Sequence, residues 1–585
     1  MTAARLLGPP LPEPAAATLC AALKRAARTP HGVTLVDRDE REVTHSFEEL
    51  YASARHVAAS LIARGVRAGD RVAIVLPTGR DFIDAFFGAQ LAGAVPVPLY
   101  PPVRLARMDE YARSTAAMLD AVAPSALLSD QRVRALLGRA LEHARTPLHC
   151  IAVSTLREAR EEAEVEPTGD ALGLIQFSSG STAAPKPVAL THSQLVSQCA
   201  ALRALLTHPD DERPLGVSWL PLYHDMGLIG CLLSAVTFPG SLVLLGPEVF
   251  LTRPALWLRA ISRHRATVSP APNFAYGLCL KRIREDELDG VDLSTWRFAL
   301  NGAEPVSVAV IDRFAERMAK RGLRRSSLMP VYGMSEAALA VTFTRADGDK
   351  RALRVDARTL ASTGRVIEGS RAIASVGEAV PGAEVEVRRG DGSLCEGREV
   401  GRVWVRAPSI MRGYFADAES TARVVREGWF DTGDLAFVDE GELFVCGRAK
   451  DVVIVRGANH APQEFEECLD GVEGVRVGCS VALGYVPPGE DDEQLLMLVE
   501  AERRDVDLAR RVTEAIVART GVVAHSVKLL APGTLPRTSS GKLRRGEALR
   551  RFIAGELRAP APVGPLTVGL ELARSALGYA RSRLG

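Results

Sequence analysis

A chain of 585 residues is too long for a single hydrophobic core and predicts several domains. Its 47% apolar and 24% charged content is that of a globular protein, and a net charge of +1 argues against nucleic acid or an anionic membrane as a bulk partner. Nine scattered cysteines without a CxxC pair argue against a disulfide framework or a zinc site and fit a reducing cytoplasm.

The opening MTAARLLGPPLPEPAAATL is broken by prolines and reaches Glu13 before any long apolar run, so no secretory signal is expected. From about residue 18 to 150, helical periods alternate with short apolar runs. FEELYASARHVAASLIARGV and DFIDAFFGAQLAGA read as helices, RVAIVLP as a buried strand, and VPVPLYPP as an extended, proline-rich stop. The rhythm continues through LGLIQFSS, SQLVSQCAALRALL, GVSWLPL and ATVSPAP, predicting a layered α/β fold with mostly parallel strands. Met226 to Pro247 carries no charge and could span a bilayer, but Pro239-Gly240 divides it, so a buried helix and then a buried strand are expected. Short glycine-divided strands from about 375 to 447 predict a small β-rich subdomain. After GRAKD the α/β pattern returns, and a boundary near Lys450 leaves a C-terminal domain of about 100 residues. From Leu557 the tail begins with the linker-like APAPVGP. It ends in a helical stretch with Leu566, Leu570, Ala573 and Leu577 on one stripe, expected to dock on its own protein or on a partner.

Of the 72 Lys and Arg residues, eight are lysines, and three of these lie in loops rich in Gly, Ser or Arg: Lys186 in SSGSTAAPK, Lys450 in GRAKD and Lys542 in RTSSGK. Lysine is a compact ammonium on a flexible stem, suited to a phosphate oxygen as a point charge. After an apolar strand, Ser178, Ser179, Ser181 and Thr182 surround Gly180, and consecutive N–H groups in such a loop form an anion-binding nest to which Lys186 adds charge. GxxxxGK[ST] is absent, and a plain surface turn is the other reading. In YGMSEA, Glu336 suits a Mg²⁺ that already holds phosphate oxygens, whereas Ala337 breaks a GxSxG hydrolase elbow. DTGD at 431–434 offers a carboxylate to ribose hydroxyls, or is a simple Asp-Gly hairpin turn. GTLPRTSSGKLRR presents Lys542 on a loop, which is otherwise a basic surface loop.

Five motifs in this order, SSGSTAAPK, YGMSE, DTGD, GRAKD and RTSSGK, make residues 20–555 resemble the adenylate-forming enzymes: acyl-CoA synthetases, peptide-synthetase adenylation domains and luciferases. VPVPLYPP, SWLPLYHDMGLIG, NGAEPV and IVRGANHAPQEFE look most like the fatty-acyl-AMP ligases of that group. The 37 residues between Ala337 and Ser375 leave room for the extra segment associated there with loss of activity towards coenzyme A. The resemblance implies an α/β protein with a large N-terminal domain at 1–447, comprising layered α/β and the β-rich subdomain. A hinge at 448–450, matched by Lys450, then leads to a smaller mobile α/β domain at 451–556, with linker and tail at 557–585.

The implied activity is cytoplasmic, ATP-dependent conversion of a fatty acid to an acyl adenylate with release of pyrophosphate. Acyl transfer to the phosphopantetheine thiol of an acyl carrier protein in trans follows. In that scheme Ser178, Ser179, Gly180, Ser181, Thr182 and Lys186 hold the β- and γ-phosphates, and Glu336 with Thr182 holds Mg²⁺. Gly302, Ala303 and Glu304 line the adenine site with Tyr332, Gly333, Met334 and Ser335. Asp434, helped by Arg448, binds ribose. His224, Met226 and Gly227 border the acyl pocket, unless His224 is a structural partner of Asp225. Lys542 meets the attacking carboxylate and the α-phosphate. Pro187 in place of the usual glycine, and Ala183-Ala184, depart from the pattern in ways that bear on rate rather than reaction class. Acyl-CoA synthesis, a luciferase-like reaction by fold analogy, and a catalytically inactive binding role are the alternatives.

Overall fold

The computed structural model describes residues 3–102, 107–146, 148–178, 185–206, 215–346, 351–487, 490, 492–502, 507–538, 541–560 and 564–582. A nine-stranded sheet forms its centre. Its parallel middle runs Leu328–Gly333, Phe298–Asn301, Val268–Ala271, Gly216–Ser218, Leu242–Leu245 and Gly32–Val36. Antiparallel strands close both edges. These middle strands are short apolar runs without polar alternation, as expected where both faces are covered by helices. A second parallel sheet orders Val95–Leu99, Arg71–Val75, Ala126–Ser129 and Cys150–Ala152. VPVPL is thus a buried edge strand rather than a stop, a place where proline's missing N–H is tolerated.

One stretch departs from the parallel rhythm. Leu172–Phe177 pairs antiparallel with Pro187–Thr191, so SSGSTAAPK connects two strands of a hairpin. Pro187 takes the first position of its strand, opposite Phe177, and its carbonyl accepts from the Phe415 N–H at 2.7 Å. The uncharged run resolves into the helical turns Asp225–Gly227, Leu228–Leu233 (a π-helix) and Ser234–Thr237, followed by the buried strand Leu242–Leu245. Among the described residues no helix is long and apolar enough to cross a membrane.

Glu384–Arg388, Gly401–Arg406, Trp429–Asp439 and Glu442–Arg448 build an antiparallel sheet, with Arg5–Leu7 added at its edge from the proline-broken start. The segment after Ala337 returns to the central sheet as Ala340–Phe343, then forms a hairpin, Ala352–Val355 with Arg371–Ala374, around the helix Ala357–Thr363. This segment touches the C-terminal part of the chain: Arg371 Nε lies 3.8 Å from a Glu467 carboxylate oxygen, and Arg358 donates to the Thr520 carbonyl. Residues 453–557 carry their own sheet, Val475–Tyr485, Gln494–Ala501 and Ser526–Leu530, and their own apolar clusters around Phe465 and Met497 and around Leu496 and Leu535.

The tail helix Pro565–Ser582 docks on the helix Gln131–His143, but not through the expected stripe. Leu570 and Leu577 are 56% and 57% exposed, whereas Glu571, Ser575 and Gly578 are buried. The cause is steric. A Cβ on residue 578 would lie 2.5 Å from the Gly138 carbonyl oxygen, so glycine is required there for this approach. Polar contacts complete it: the Gly138 N–H donates to Ser575 Oγ at 2.8 Å, Arg139 meets Glu571 at 3.4 Å, and the Tyr579 hydroxyl donates to the Arg134 carbonyl. Gly578→Val is expected to weaken this docking by about 1–3 kcal/mol, as overpacking does. Hydrogen exchange would then show lost protection confined to residues 565–582 and 131–143, and unchanged protection there would refute this account of the docking.

Candidate functional site

The strand Gly216–Ser218 leaves the central sheet and runs into Leu220–Gly227 at its carboxyl end, where open α/β sheets bind ligands. A Cβ on Gly227 would come within 2.4 Å of the Pro221 carbonyl oxygen, so glycine is required for the turn to close. The turn presents His224 and buries Asp225. Asp225 Oδ1 accepts from His224 Nδ1 at 3.0 Å and from the Met226 N–H at 2.7 Å, and Oδ2 accepts from Ser335 Oγ at 2.6 Å. An ionised carboxylate only accepts, so Nδ1 carries the proton and Nε2 is the ring nitrogen left for a ligand. Burial pushes the Asp225 carboxyl up, but the hydrogen bond from His224, the charge of Lys542 and the Ser335 hydroxyl outweigh it and hold the group well below the usual carboxylate range. The structural role for His224 and its place on the cavity wall therefore coexist.

The strand Leu328–Gly333 delivers Tyr332 and the turn that follows. The Tyr332 hydroxyl donates to Asp434 Oδ2 at 2.6 Å, and Arg448 Nε lies 3.0 Å from Asp434 Oδ1. Asp434 and Arg448 stand directly opposite one another on adjacent antiparallel strands, which is how DTGD and GRAKD come together. Ala303 has a left-handed φ of 68°, unusual for a residue with a Cβ. Glu304 Oε1 accepts from the Phe274 N–H at 2.6 Å, and burial pushes its carboxyl up. Gly302 packs behind this wall against Val331 and does not line the cavity.

Glu336 Oε1 accepts from the Tyr414 hydroxyl at 3.1 Å, and burial pushes this carboxyl up as well. The Tyr414 ring also carries Lys186, whose Nζ sits 4.6 Å from the ring centre. Tyr414 thus joins two residues expected to meet phosphate and metal, and sequence reasoning missed it. Its only local signal is the aromatic pair in RGYF, and its placement depends on Gly413–Tyr414 pairing with Pro187–Thr191. At the base of the SSGSTAAPK loop the Ser178 N–H donates to the Lys186 carbonyl at 2.8 Å. Ser179, Gly180, Ser181 and Thr182 lie outside the described residues.

The RTSSGK loop reaches this cavity from the C-terminal part of the chain. The Lys542 N–H donates to Thr538 Oγ1 and its carbonyl accepts from the Thr538 N–H, while Arg537 donates to the Gly541 carbonyl. Burial pushes the Lys542 ammonium down. Asp225 is the strongest opposing influence, Arg448 adds to the lowering, and Glu304 and Asp434 oppose it. Lys450 sits in the Ala449–Asp451 turn, lowered by burial and by Arg448.

A single cavity of about 1670 Å³ is lined by Ser178, Lys186, His224, Met226 and Gly227, by Ala303, Glu304 and Tyr332–Glu336, and by Asp434, Arg448, Lys450 and Lys542. Its lining also includes apolar positions such as Leu202, Cys231, Ala235, Phe238 and Leu339. Among the described residues no cluster of three or more His, Cys, Asp or Glu could hold a metal ion. Glu336 offers a hard oxygen donor at the cavity wall, and a Mg²⁺ there would complete its shell with phosphate oxygens and water.

A model of the family described as AMP-binding enzyme matches residues 23–415. A Caulobacter vibrioides protein, provisionally named an acyl-CoA synthetase, is 35% identical over 92% of this chain and 96% of its own length. The medium-chain-fatty-acid–[acyl-carrier-protein] ligase JamA of Moorena producens is 33% identical over 90% of this chain and 92% of its own. Among solved structures, a fatty acyl-adenylate ligase from E. coli or L. pneumophila superposes with a TM-score of 0.86 at 33% identity, covering 92% of this chain and 98% of the other.

Tyr414→Phe removes the hydroxyl beside Glu336 and keeps the ring beneath Lys186. It is expected to cost about 1 kcal/mol in urea unfolding, because a half-buried carboxyl group loses one of its donors. Tyr414→Leu should lose about 0.5–1 kcal/mol more with the ring face. A Phe variant as stable as the wild type would show that the hydroxyl does not support Glu336.

Proposed function

The chain belongs to the AMP-binding enzyme family, alongside its fatty-acid AMP ligases, and on that premise we propose that it joins a fatty acid to AMP and passes the acyl group to a carrier-protein thiol. In the first step a carboxylate oxygen attacks the α-phosphorus of ATP. The acyl O–P bond forms, the bond to the β-phosphate oxygen breaks, and pyrophosphate leaves. Both reactants are anionic, so the barrier is largely one of charge and position. The observation that carries this reading is the convergence of Lys542 on the cavity that holds Asp225, Glu304, Asp434 and Arg448.

In this reading Lys542 holds the attacking oxygen and the α-phosphate, where charge gathers. Asp434 accepts from the ribose hydroxyls while Arg448 and Tyr332 hold it in place. Ala303, Glu304 and the Tyr332–Ser335 turn border adenine, and Lys186 with the SSGSTAAPK loop meets the outer phosphates. Glu336 would hold Mg²⁺, which supplies positive charge against the triphosphate. His224, Met226 and Gly227 open onto the acyl chain. In the second step the thiol attacks the acyl carbon, the C–O bond to phosphate breaks, and AMP leaves. Residues 448–450 would act as the hinge through which 451–556 turns to admit the thiol, with 1–447 as the fixed domain. The name of JamA supports a carrier protein as acceptor, as does the segment between Ala337 and Ser375, which contacts Glu467 and Thr520. The name of the Caulobacter relative favours coenzyme A as the second reading. All nine cysteines are free thiols, which supports a reducing, cytoplasmic setting.

Lys542→Ala should lower pyrophosphate release with ATP and a fatty acid by about 10²–10³-fold, the usual loss when one donor to developing charge is removed. Adenylate formation at the wild-type rate would overturn the mechanism. Acyl-CoA formation as fast as transfer to a phosphopantetheinylated carrier would overturn the acceptor.

A further inference from the structure

Asp225 binds together three segments that are far apart in the chain. Its Oδ1 accepts from His224 and from the Met226 N–H, both on the acyl side of the cavity. Its Oδ2 accepts from Ser335, inside the turn that joins Tyr332 to Glu336 on the nucleotide side. Lys542, which arrives from the C-terminal loop, lines the same cavity, and the charges of the two act on each other. The carboxylate is buried and has donors on both oxygens, so the arrangement needs the charge as well as the shape.

We propose that Asp225 is a positioning residue that sets His224, the Tyr332–Glu336 turn and Lys542 in one register for attack on the α-phosphorus. It touches neither substrate in this scheme and acts through its neighbours. By holding the proton on Nδ1 it fixes the tautomer of His224 and presents Nε2 to the cavity. On the cavity that Lys542 enters, it gives the incoming loop a negative charge to meet before substrate is bound. The inference rests on the adenylate-forming reading, so the wild-type enzyme must first release pyrophosphate with ATP and a fatty acid. Failure there would defeat that reading and leave this one without a reaction to serve.

The decisive variant is Asp225→Asn, which keeps the shape and removes the charge. With decanoic acid and ATP as probes, kcat for adenylate formation should fall about 30-fold or more, as when one partner of a buried charged contact is lost. KM for ATP should change by a smaller factor than kcat, because Asp434, Arg448 and Lys186 keep their contacts while the Tyr332–Glu336 turn loses only part of its support. In ¹⁵N-labelled protein, the Nδ1–H tautomer of His224 should dominate in the wild type and be less populated in the variant, whose neutral amide oxygen accepts more weakly than a carboxylate. In a Lys542→Ala background the same substitution should cost about 3–10-fold further, less than in the wild type, since the contact with Lys542 is already gone while the Ser335 bond is still lost. A kcat within threefold of wild type overturns the proposal. So does a fall in kcat with the tautomer population unchanged and full additivity with Lys542→Ala, which marks a merely structural acid. Should Asp225→Asn fail to fold, Ser335→Ala decides: kcat should fall about 3–10-fold for the loss of one hydrogen bond to a charged group, and an unchanged kcat overturns the proposal.

Discussion

Among the carboxylates that line one cavity, Asp225, Glu304, Glu336 and Asp434 lie where the sequence motifs converge, and the need to answer the charge of these four organises the elements around them. An unpaired ion taken out of water costs several kcal/mol, more than a marginally stable fold can leave uncompensated. The four are answered unequally. Asp434 has Arg448 on the adjoining strand and the Tyr332 phenol. Asp225 has three donors and the Lys542 charge, and it is held below the usual carboxylate range. Glu304, which accepts from the Phe274 N–H, and Glu336, which accepts from the Tyr414 phenol, are pushed up by burial instead. That difference separates roles. Asp225 and Asp434 hold other groups in place, whereas in the proposed scheme Glu336 is the acid left for a cation.

How much of this could be read in the sequence depended on whether a contact was local. Strand and helix periods gave the layered α/β architecture, because each rests on its own residues. The pairing of Asp434 with Arg448 was legible as two motifs, and the antiparallel register turned proximity in sequence into contact. Tyr414 was not legible. It carries Lys186 and Glu336 only because a two-residue strand crosses to Pro187–Thr191, and no local pattern announces such a strand. Asp225 was noticed only as a partner for His224, since its bond to Ser335 spans 110 residues. The tail misled for a related reason. An apolar stripe suggests its own burial, but the receiving surface at Gly138 admits only small side chains, so the helix turned its Ser575–Gly578 face inward.

Residues 453–557 have separate apolar clusters and meet the rest of the molecule partly through exposed or half-buried polar contacts, such as Lys281 with Glu502 and Arg358 with Thr520. Surface pairs of this kind are individually weak, so breaking them costs little. The tail adds a restraint of another sort. It leaves this part after Leu557, crosses a short proline-containing link and anchors on the helix Gln131–His143. The small unit is therefore held to the large one at both ends, and the length of that link bounds any excursion for as long as the tail stays docked.

Within the proposed rotation, the order of residues along the chain does chemical work. Arg448 is the last residue of its strand, paired across to Asp434, and the backbone turns at Ala449–Asp451 immediately after it. Everything proposed to grip ribose is therefore upstream of the turn, and Lys542 is downstream. In the proposed scheme a rotation there would withdraw the lysine from the α-phosphate and leave the contacts of Asp434 with Arg448 and Tyr332 in place, so the adenylate would stay seated while the space occupied by Lys542 is cleared. Withdrawal also separates Lys542 from Asp225. The lysine's return to water relieves its own burial, while Asp225 keeps the donors from His224, Met226 and Ser335. The site can thus give up its mobile cation without leaving a bare buried anion behind, which is the condition for one cavity to serve two steps in succession.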